Sequence, residues 1–334
     1  MWAVLWYSGA SMRYLSNIPR ALALLFGALF LVSLVVSIGT IASLPQFFET
    51  EIAETAPPEY HFSLFLPEAS SLFFSEVEAG ARAAAAESGV AVSVHPIGSD
   101  TLDFRLARYS GIDGAIIYSA VPEREARRVL EELEQANIPV VVIEHGPGGP
   151  ITDPPRPFVG TNNFDLGRRI GELVAEIDAD PMHLTMVYSH KSPGIQSEKD
   201  LVELGIVSAL GPRLASPMTR RTTGLNPLDA KSLTDQILRT DPQTNVLVFT
   251  DANDTLAAVQ IVIDLNLVGR VQIIGFGAGN EIRDYLDRGI ISGTVVVNPR
   301  KIGFNAVKVL AGLRRDGFSA GYVDTGVEVL RGRR

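Results

Sequence analysis

The stretch 245–303 constrains the fold most. It holds three short β-rich runs, Val246–Phe249, Val271–Phe276 and Thr294–Val297, separated by amphipathic segments of helical length. Strand, helix and strand in succession read as parallel pairs, because parallel strands need a long crossover that a helix supplies. Parallel sheets bind ligands in the crevice beyond the carboxyl ends of their strands. At those ends stand polar residues or glycine: Asp251, Asn253 and Asp254 after the first run, Gly277 to Asn280 after the second, Asn298 after the third.

The same alternation runs through the rest of the chain. His61–Leu66, Val90–Val94, Gly114–Tyr118 and Val140–Ile143 read as strands. Leu72–Glu87, alanine-rich and interrupted only by Gly80, and Glu123–Ala136 read as helices. Residues 146–157 (GPGGPITDPPRP) cannot continue a helix or a central strand and form a surface loop. Beyond it come the strand Phe158–Gly160, the helix Phe164–Ile177, the strand His183–Tyr188, the helix Glu198–Leu210, a weak strand Thr219–Thr223 and the helix Leu228–Arg239. Strands alternating with helices imply an α/β protein built on doubly wound parallel sheets.

The ordered set V-F-x-x-x-N-D (Val248 to Asp254), V-x-I-I-G-F (Val271 to Phe276) and G-x-I-x-x-T-V-x-x-x-P-x-x-I-G (Gly289 to Gly303) resembles the second half of the type I periplasmic binding proteins, the ribose- and galactose-type sugar receptors. Ile138 to Gly146 resembles their I-P-V-V-x-x-D strand, with Glu144 at the Asp position. Val159 to Gly167 resembles their V-x-x-D-N-x-x-x-G crossing between domains. The resemblance implies two doubly wound parallel-sheet domains, 60–161 with 299–320 and 162–298 with 321–334. Three crossings near Thr161, Asn298 and Gly321 would form the hinge. The helix Lys301–Arg315 would return to the first domain, and Gly326–Leu330 would add a last strand to the second.

The resemblance also implies a ligand site. Ser71, Phe73 and Phe74 stand at the first strand–helix turn, where the family stacks an aromatic ring on the apolar face of a sugar. Glu144 ends a buried apolar strand, where a carboxylate can accept from two hydroxyls at once. His145 beside it holds a position where these receptors often carry Arg. Asn253 is assigned to the ligand, Asp254 to the N-cap of a helix from Thr255 to Asn266, and Asn298 to the place of a frequent Gln. Two departures alter the pocket: Val202 stands for an Arg and Gly277 for an Asp, so a ribose or galactose pocket is not reproduced in detail. Tyr188, Lys191 and Gln196 are the polar residues on hand to substitute.

Ahead of the folded part, Ala21 to Leu44 is apolar, and no charged residue lies between Arg20 and Glu49. About 20 helical residues cross a hydrocarbon core of about 30 Å. Arg13 and Arg20 before the run and Glu49, Glu51 and Glu54 after it place residues 1–20 in the cytoplasm, 21–44 in the membrane and a tether, 45–59, outside. A cleavable signal peptide is the alternative reading, and Met12 an alternative start. With 334 residues and a hydrophobic share of 46%, two ordinary domains fit. A formal charge of −9 argues against nucleic-acid binding, and the absence of cysteine excludes disulfides, thiolate metal sites and lipidation at cysteine. No metal-ligand spacing appears among the five His, and GFGAGN at Gly275 to Asn280 lacks the third glycine of a dinucleotide fingerprint.

The expected function is therefore binding without catalysis, cofactor or metal. The leading expectation is an extracytoplasmic receptor for a small polar ligand of carbohydrate type, serving an ATP-driven permease. A sensor ectodomain reporting to a membrane histidine kinase or chemoreceptor is the alternative. A repressor of the lac type shares the core fold, but a hydrophobic span occupies the place of its helix-turn-helix.

Overall fold

The computed structural model describes residues 24–40, 57–67, 72–97, 108–118, 123–144, 156–179, 181–214, 216–224, 226 and 228–332. The chain divides into two compact units, Met1–Pro57 and Pro58–Arg334. In the first unit, residues 24–40 form an exposed, uncharged helix. Among the described residues no helix is long and apolar enough to cross a membrane. Seventeen residues at 1.5 Å each reach only about 25 Å, and the rest of the expected 21–44 span lies outside the described residues.

The second unit carries two six-stranded sheets. The first contains β1 (His61–Pro67), β2 (Ala91–Ile97), β3 (Gly114–Ile117), β4 (Val140–Ile143), β5 (Phe158–Gly160) and β11 (Tyr322–Asp324) in the order β11-β5-β4-β3-β1-β2, all parallel. The second contains β6 (Leu184–Ser189), β7 (Thr219–Thr223), β8 (Val246–Phe249), β9 (Gln272–Phe276), β10 (Gly293–Val297) and β12 (Val327–Arg331) in the order β12-β10-β9-β8-β6-β7, where only β12 runs antiparallel. The central strands β3, β4, β6 and β8 are buried along their whole length, which is why they read as unbroken apolar runs.

Helices cover both faces of each sheet. In the first lobe, α1 (Leu72–Ser88) and α9 (Pro299–Asp316) close one face over Phe62, Leu64, Ile116 and Val141, and α2 (Glu123–Gln135) closes the other over Ala115, Ile117 and Val142. In the second, α3 (Asn163–Ala175) and α5 (Lys199–Leu210) cover Met186, Val248 and Ile274. There α6 (Asp229–Thr240), α7 (Ala252–Asp264) and α8 (Asn280–Asp287) cover Val187, Leu247 and Ile273, and the short α4 (Pro193–Ser197) follows β6. Each lobe has one helix pair in backbone contact through glycine. A Cβ on Gly80 or Gly303 would stand 1.9 Å from the carbonyl oxygen of Arg300 or Val77, and one on Gly167 would stand 1.9 Å from that of Val202. Gly80 therefore sits inside an unbroken helix, since its missing side chain is what lets α9 approach.

The chain crosses between the lobes three times: after β5 at Thr161–Asn162, after β10 at Asn298, and between β11 and β12 at Thr325–Gly326. The last differs from the expected crossing at Gly321. Tyr322–Asp324 first pairs with β5, and Tyr322 stacks on Phe158 with ring centres 5.6 Å apart, so this segment belongs to the first sheet. Asn162 caps α3 by accepting from the Asp165 amide at 3.0 Å, and Asn298 caps α9 by accepting from the Lys301 amide at 3.0 Å. Two of the crossings thus pass straight into capped helices.

Candidate functional site: a cleft between the lobes

The carboxyl ends of both sheets face one another, as parallel sheets place a binding crevice. The residues there enclose a small cavity lined by Phe73, Tyr118 and Glu144 from the first lobe and by Lys191, Ser192, Gly194, Ile195, Phe276 and Val297 from the second. Each occupies a strand end: Tyr118 follows β3, Glu144 follows β4, Lys191 to Ile195 follow β6, and Phe276 and Val297 close β9 and β10. Phe73, at the start of α1, is half-buried and packs against the cores of both lobes. Its ring meets Phe74 edge-on at 5.4 Å and Tyr118 at 6.5 Å. The cavity measures ≈ 20 Å³, room for about one water, so the lobes must separate to admit anything larger.

Glu144 is the most constrained residue of the site. Its backbone is left-handed, with φ +57, which costs a non-glycine residue free energy and re-aims its side chain. It is 6% exposed, and its Oε1 accepts from the Thr161 amide at 2.8 Å and the Thr161 hydroxyl at 2.9 Å. Burial pushes its carboxyl up to about 7; the Thr161 donors oppose that, while the charges of Glu198 and Asp324 add to it. A Cβ on Gly194 would stand 2.5 Å from the Glu144 carbonyl oxygen, so only glycine lets α4 of the second lobe come this close. The Gly194 amide also donates to the Tyr118 hydroxyl, and burial raises the Tyr118 phenol far above its ordinary value.

Opposite Glu144, Lys191 is held by the second lobe. Its Nζ lies 2.5 Å from Asp254 Oδ1 and 4.0 Å from Asp251 Oδ1, and Asp254 Oδ2 accepts from the Thr223 hydroxyl at 2.5 Å. Asp254 is 1% exposed. This corrects its expected place as a helix cap. Asp251 caps α7, accepting from the Asn253 and Asp254 amides at 3.0 Å each, because the helix begins at Ala252 rather than at Thr255. Burial, with Asp254 nearby, raises the Asp251 carboxyl above its ordinary range.

The other expected site residues are distributed unevenly. Ser71 and His145 lie outside the described residues. Phe74 is 7% exposed within the first core, beneath Phe73 and 5.0 Å from Tyr118. Asn253 is exposed at the start of α7, away from the cavity lining. Asn298 spends its side-chain oxygen on the α9 cap, and Val297 before it is the residue that lines the cleft. Tyr188 belongs to the second core, donating to Glu203 at 3.1 Å, and Gln196 does not line the cavity, so Lys191 alone of the three substitutes reaches it. Val202 is core, its carbonyl under Gly167. Gly277 has φ +87, a conformation that a side chain at that position would strain.

Tyr118, Ser192, Ile195 and Phe276 were not singled out as ligand residues. The signal for Tyr118 and Phe276 was available: each is the residue at the carboxyl end of an apolar run. Among the described residues no group of three or more His, Asp or Glu is placed to hold a metal ion. A larger open depression, lined by Leu173, Glu176, Gln272 and Arg331, lies at the amino ends of the second sheet's strands. An Arg331–Glu176 ion pair at 2.8 Å spans it, and it has no counterpart wall from the first lobe.

A family model described as a periplasmic binding protein domain matches residues 62–316. Among solved structures, GanP, a glucose-galactose binding protein from Geobacillus stearothermophilus, is similar over 81% of this chain and 97% of its own, with 26% identity and a TM-score of 0.68. A solute-binding protein of an ABC transporter from Burkholderia graminis, in complex with D-arabinose, is similar over 82% and 96%, with 19% identity and a TM-score of 0.70. A XylFII–LytSN complex contributes a further similar chain, over 82% and 98%, with 22% identity and a TM-score of 0.66. No curated protein sequence matches the chain. The two-lobed architecture and a match spanning both lobes agree: the chain belongs to the periplasmic binding protein family.

Proposed function

We propose that this protein is an extracytoplasmic receptor that closes two lobes around a small carbohydrate and presents it to an ATP-driven permease. The observation that carries this reading is the cleft itself. Aromatic residues from both lobes, Phe73, Tyr118 and Phe276, line it together with one carboxyl group, Glu144, and one ammonium, Lys191. Aromatic rings suit the C–H face of a sugar ring, and a carboxyl group and an ammonium suit its hydroxyls. GanP is a glucose-galactose binding protein and the Burkholderia relative holds D-arabinose, which supports a sugar here. The polar set differs from that of the ribose and galactose receptors, with Gly277 where they carry Asp and with Phe276 and Val297 lining the cleft, so the ligand carries fewer oriented hydroxyls or an apolar substituent. Binding and release, rather than catalysis, is the proposed activity.

The uncharged run 21–44 is proposed to hold the receptor in the cytoplasmic membrane with residues 58–334 outside. Calorimetric titration with a panel of pentoses, hexoses, deoxy sugars and methyl glycosides tests the reading. Saturable binding that Phe73→Ala and Lys191→Ala both weaken supports it, and a panel without a binder refutes the carbohydrate assignment.

A sensor role for the same ectodomain is the second reading, favoured by the similarity to a chain of the XylFII–LytSN complex. Crosslinking in native membranes separates the two, by whether a permease or a histidine kinase is captured.

A further inference from the structure

We propose that closure of the cleft is linked to a proton on Glu144: the lobes come together with this carboxyl group protonated and part when it ionises. The inference rests on the two-lobed receptor reading and adds a regulation to that site.

The geometry places Glu144 at the moving joint. Its side chain is tied to Thr161, the first crossing between the lobes, by two hydrogen bonds, and its main chain is pressed by Gly194 of the second lobe. Closing the lobes therefore desolvates this carboxyl group, and opening them returns it to water. The groups that face it do not compensate a charge. Glu198, at the junction of α4 and α5, and Asp324, on β11, are both acidic, while Tyr118 and Tyr322 are phenols. Lys191 is the cation of the cleft lining, and it is engaged by Asp254 at 2.5 Å and Asp251 at 4.0 Å on its own lobe. Asn163, buried beside the first crossing, donates to Glu198 at 2.7 Å, which holds that second carboxylate near the hinge. An anion on Glu144 has two donors from Thr161 and two acidic neighbours. The neutral acid removes both the repulsion and most of the desolvation cost.

The sign follows from linkage. In the closed form the carboxyl titrates near 7, against 4.5 for an ordinary glutamate. If opening restores the ordinary value, the closing equilibrium is at full strength below about pH 4.5. It weakens as pH rises through about 7 and levels off above it, by up to roughly 300-fold in all.

The chain has no cysteine, so a pair of dyes can be attached at two engineered sites alone. Gln135→Cys on the first lobe and Lys231→Cys on the second are exposed positions for them. Single-molecule energy transfer on the full chain in lipid nanodiscs, without sugar, is followed from pH 4.5 to 8.5. The expected result is a high-transfer population that gives way to an open one as pH rises toward 7, with little further change above it, and a Glu144→Gln protein that stays closed across the range. A transition unchanged by Glu144→Gln, or no transition in the folded parent, overturns the proposal. Should Glu144→Gln fail to fold, Glu198→Gln with Asp324→Asn provides the second test. Removing two negative neighbours makes the ionised closed form less costly, so closure persists to higher pH and the midpoint rises; an unmoved or lowered midpoint overturns the proposal. Adding sugar at pH 8 reports separately on the receptor reading. A sugar-driven closure with no pH response removes only the proton link, and a pH response with no sugar response removes only the ligand assignment.

Discussion

Asp251 and Asp254, three residues apart, do different work at the start of α7, and substitution should separate them. Asp251→Ala removes the acceptor for two amides at the helix start and is expected to cost about 1 kcal/mol. Asp254→Ala strands the Lys191 ammonium and the Thr223 hydroxyl in a largely buried site and is expected to cost about 3 kcal/mol or more. Urea denaturation of the two variants checks the order; a larger loss for Asp251→Ala would mean that the ion pair is not what holds this corner. The sequence does not settle which aspartate caps, because both stand before the same apolar helical pattern. The choice depends on where the helix starts, and tertiary contacts with Lys191 and Thr223 recruit Asp254 away from the backbone. Lys191 was visible only as one of three polar candidates, since its partner lies 63 residues away. For Asn298, the amide was read as a ligand group, whereas a proline at the next position starts α9 and makes an N-cap of it. Glu144 and Phe73, expected from a carboxylate at the end of an apolar strand and from the resemblance at the first strand–helix turn, both line the cleft.

Among the secondary-structure elements, glycines mark the places where helices meet backbone to backbone. Gly167→Ala or Gly303→Ala would put a methyl carbon 1.9 Å from a carbonyl oxygen, so the helices must move apart. An overpacking loss of about 1–3 kcal/mol is expected for each. Gly312 in α9 is the contrast: an added Cβ would meet only the Phe318 carbonyl oxygen at 3.6 Å. Gly312→Ala is therefore expected to stabilise by about 0.5–1 kcal/mol through helix propensity. Melting curves of the three variants check this, and a destabilising Gly312→Ala would show that α9 is packed more tightly than its contacts indicate. The positions of the strands were largely readable, because buried parallel strands are apolar runs separated by helices, whereas their order in each sheet comes from the structure. The short β11 was not. Three residues, Tyr322–Asp324, carry no periodicity of their own, and their place beside β5 comes from a long-range pairing that moves the third crossing from Gly321 to Thr325–Gly326.

For the whole molecule, the three crossings and the narrow cleft make opening a rotation of one lobe against the other, the hinge motion expected of two rigid sheets joined by short strands. Gly194 is the point at which such a rotation can be blocked without touching the hinge. A methyl group there would stand 2.5 Å from the Glu144 carbonyl oxygen, and backbone on both sides has little room to yield. Gly194→Ala is therefore expected to hold the lobes apart. The radius of gyration from solution scattering should then exceed that of the parent, and saturating sugar should compact the parent but not the variant. Affinity should fall by about 10-fold or more, because the first-lobe contacts of Phe73 and Glu144 are no longer brought onto a ligand held by the second lobe; a 10-fold loss corresponds to about 1.4 kcal/mol. A variant with the parent's radius and affinity would show that α4 shifts locally to accept the methyl group, and the closure contact would then have to be sought at Phe73, which packs against both cores.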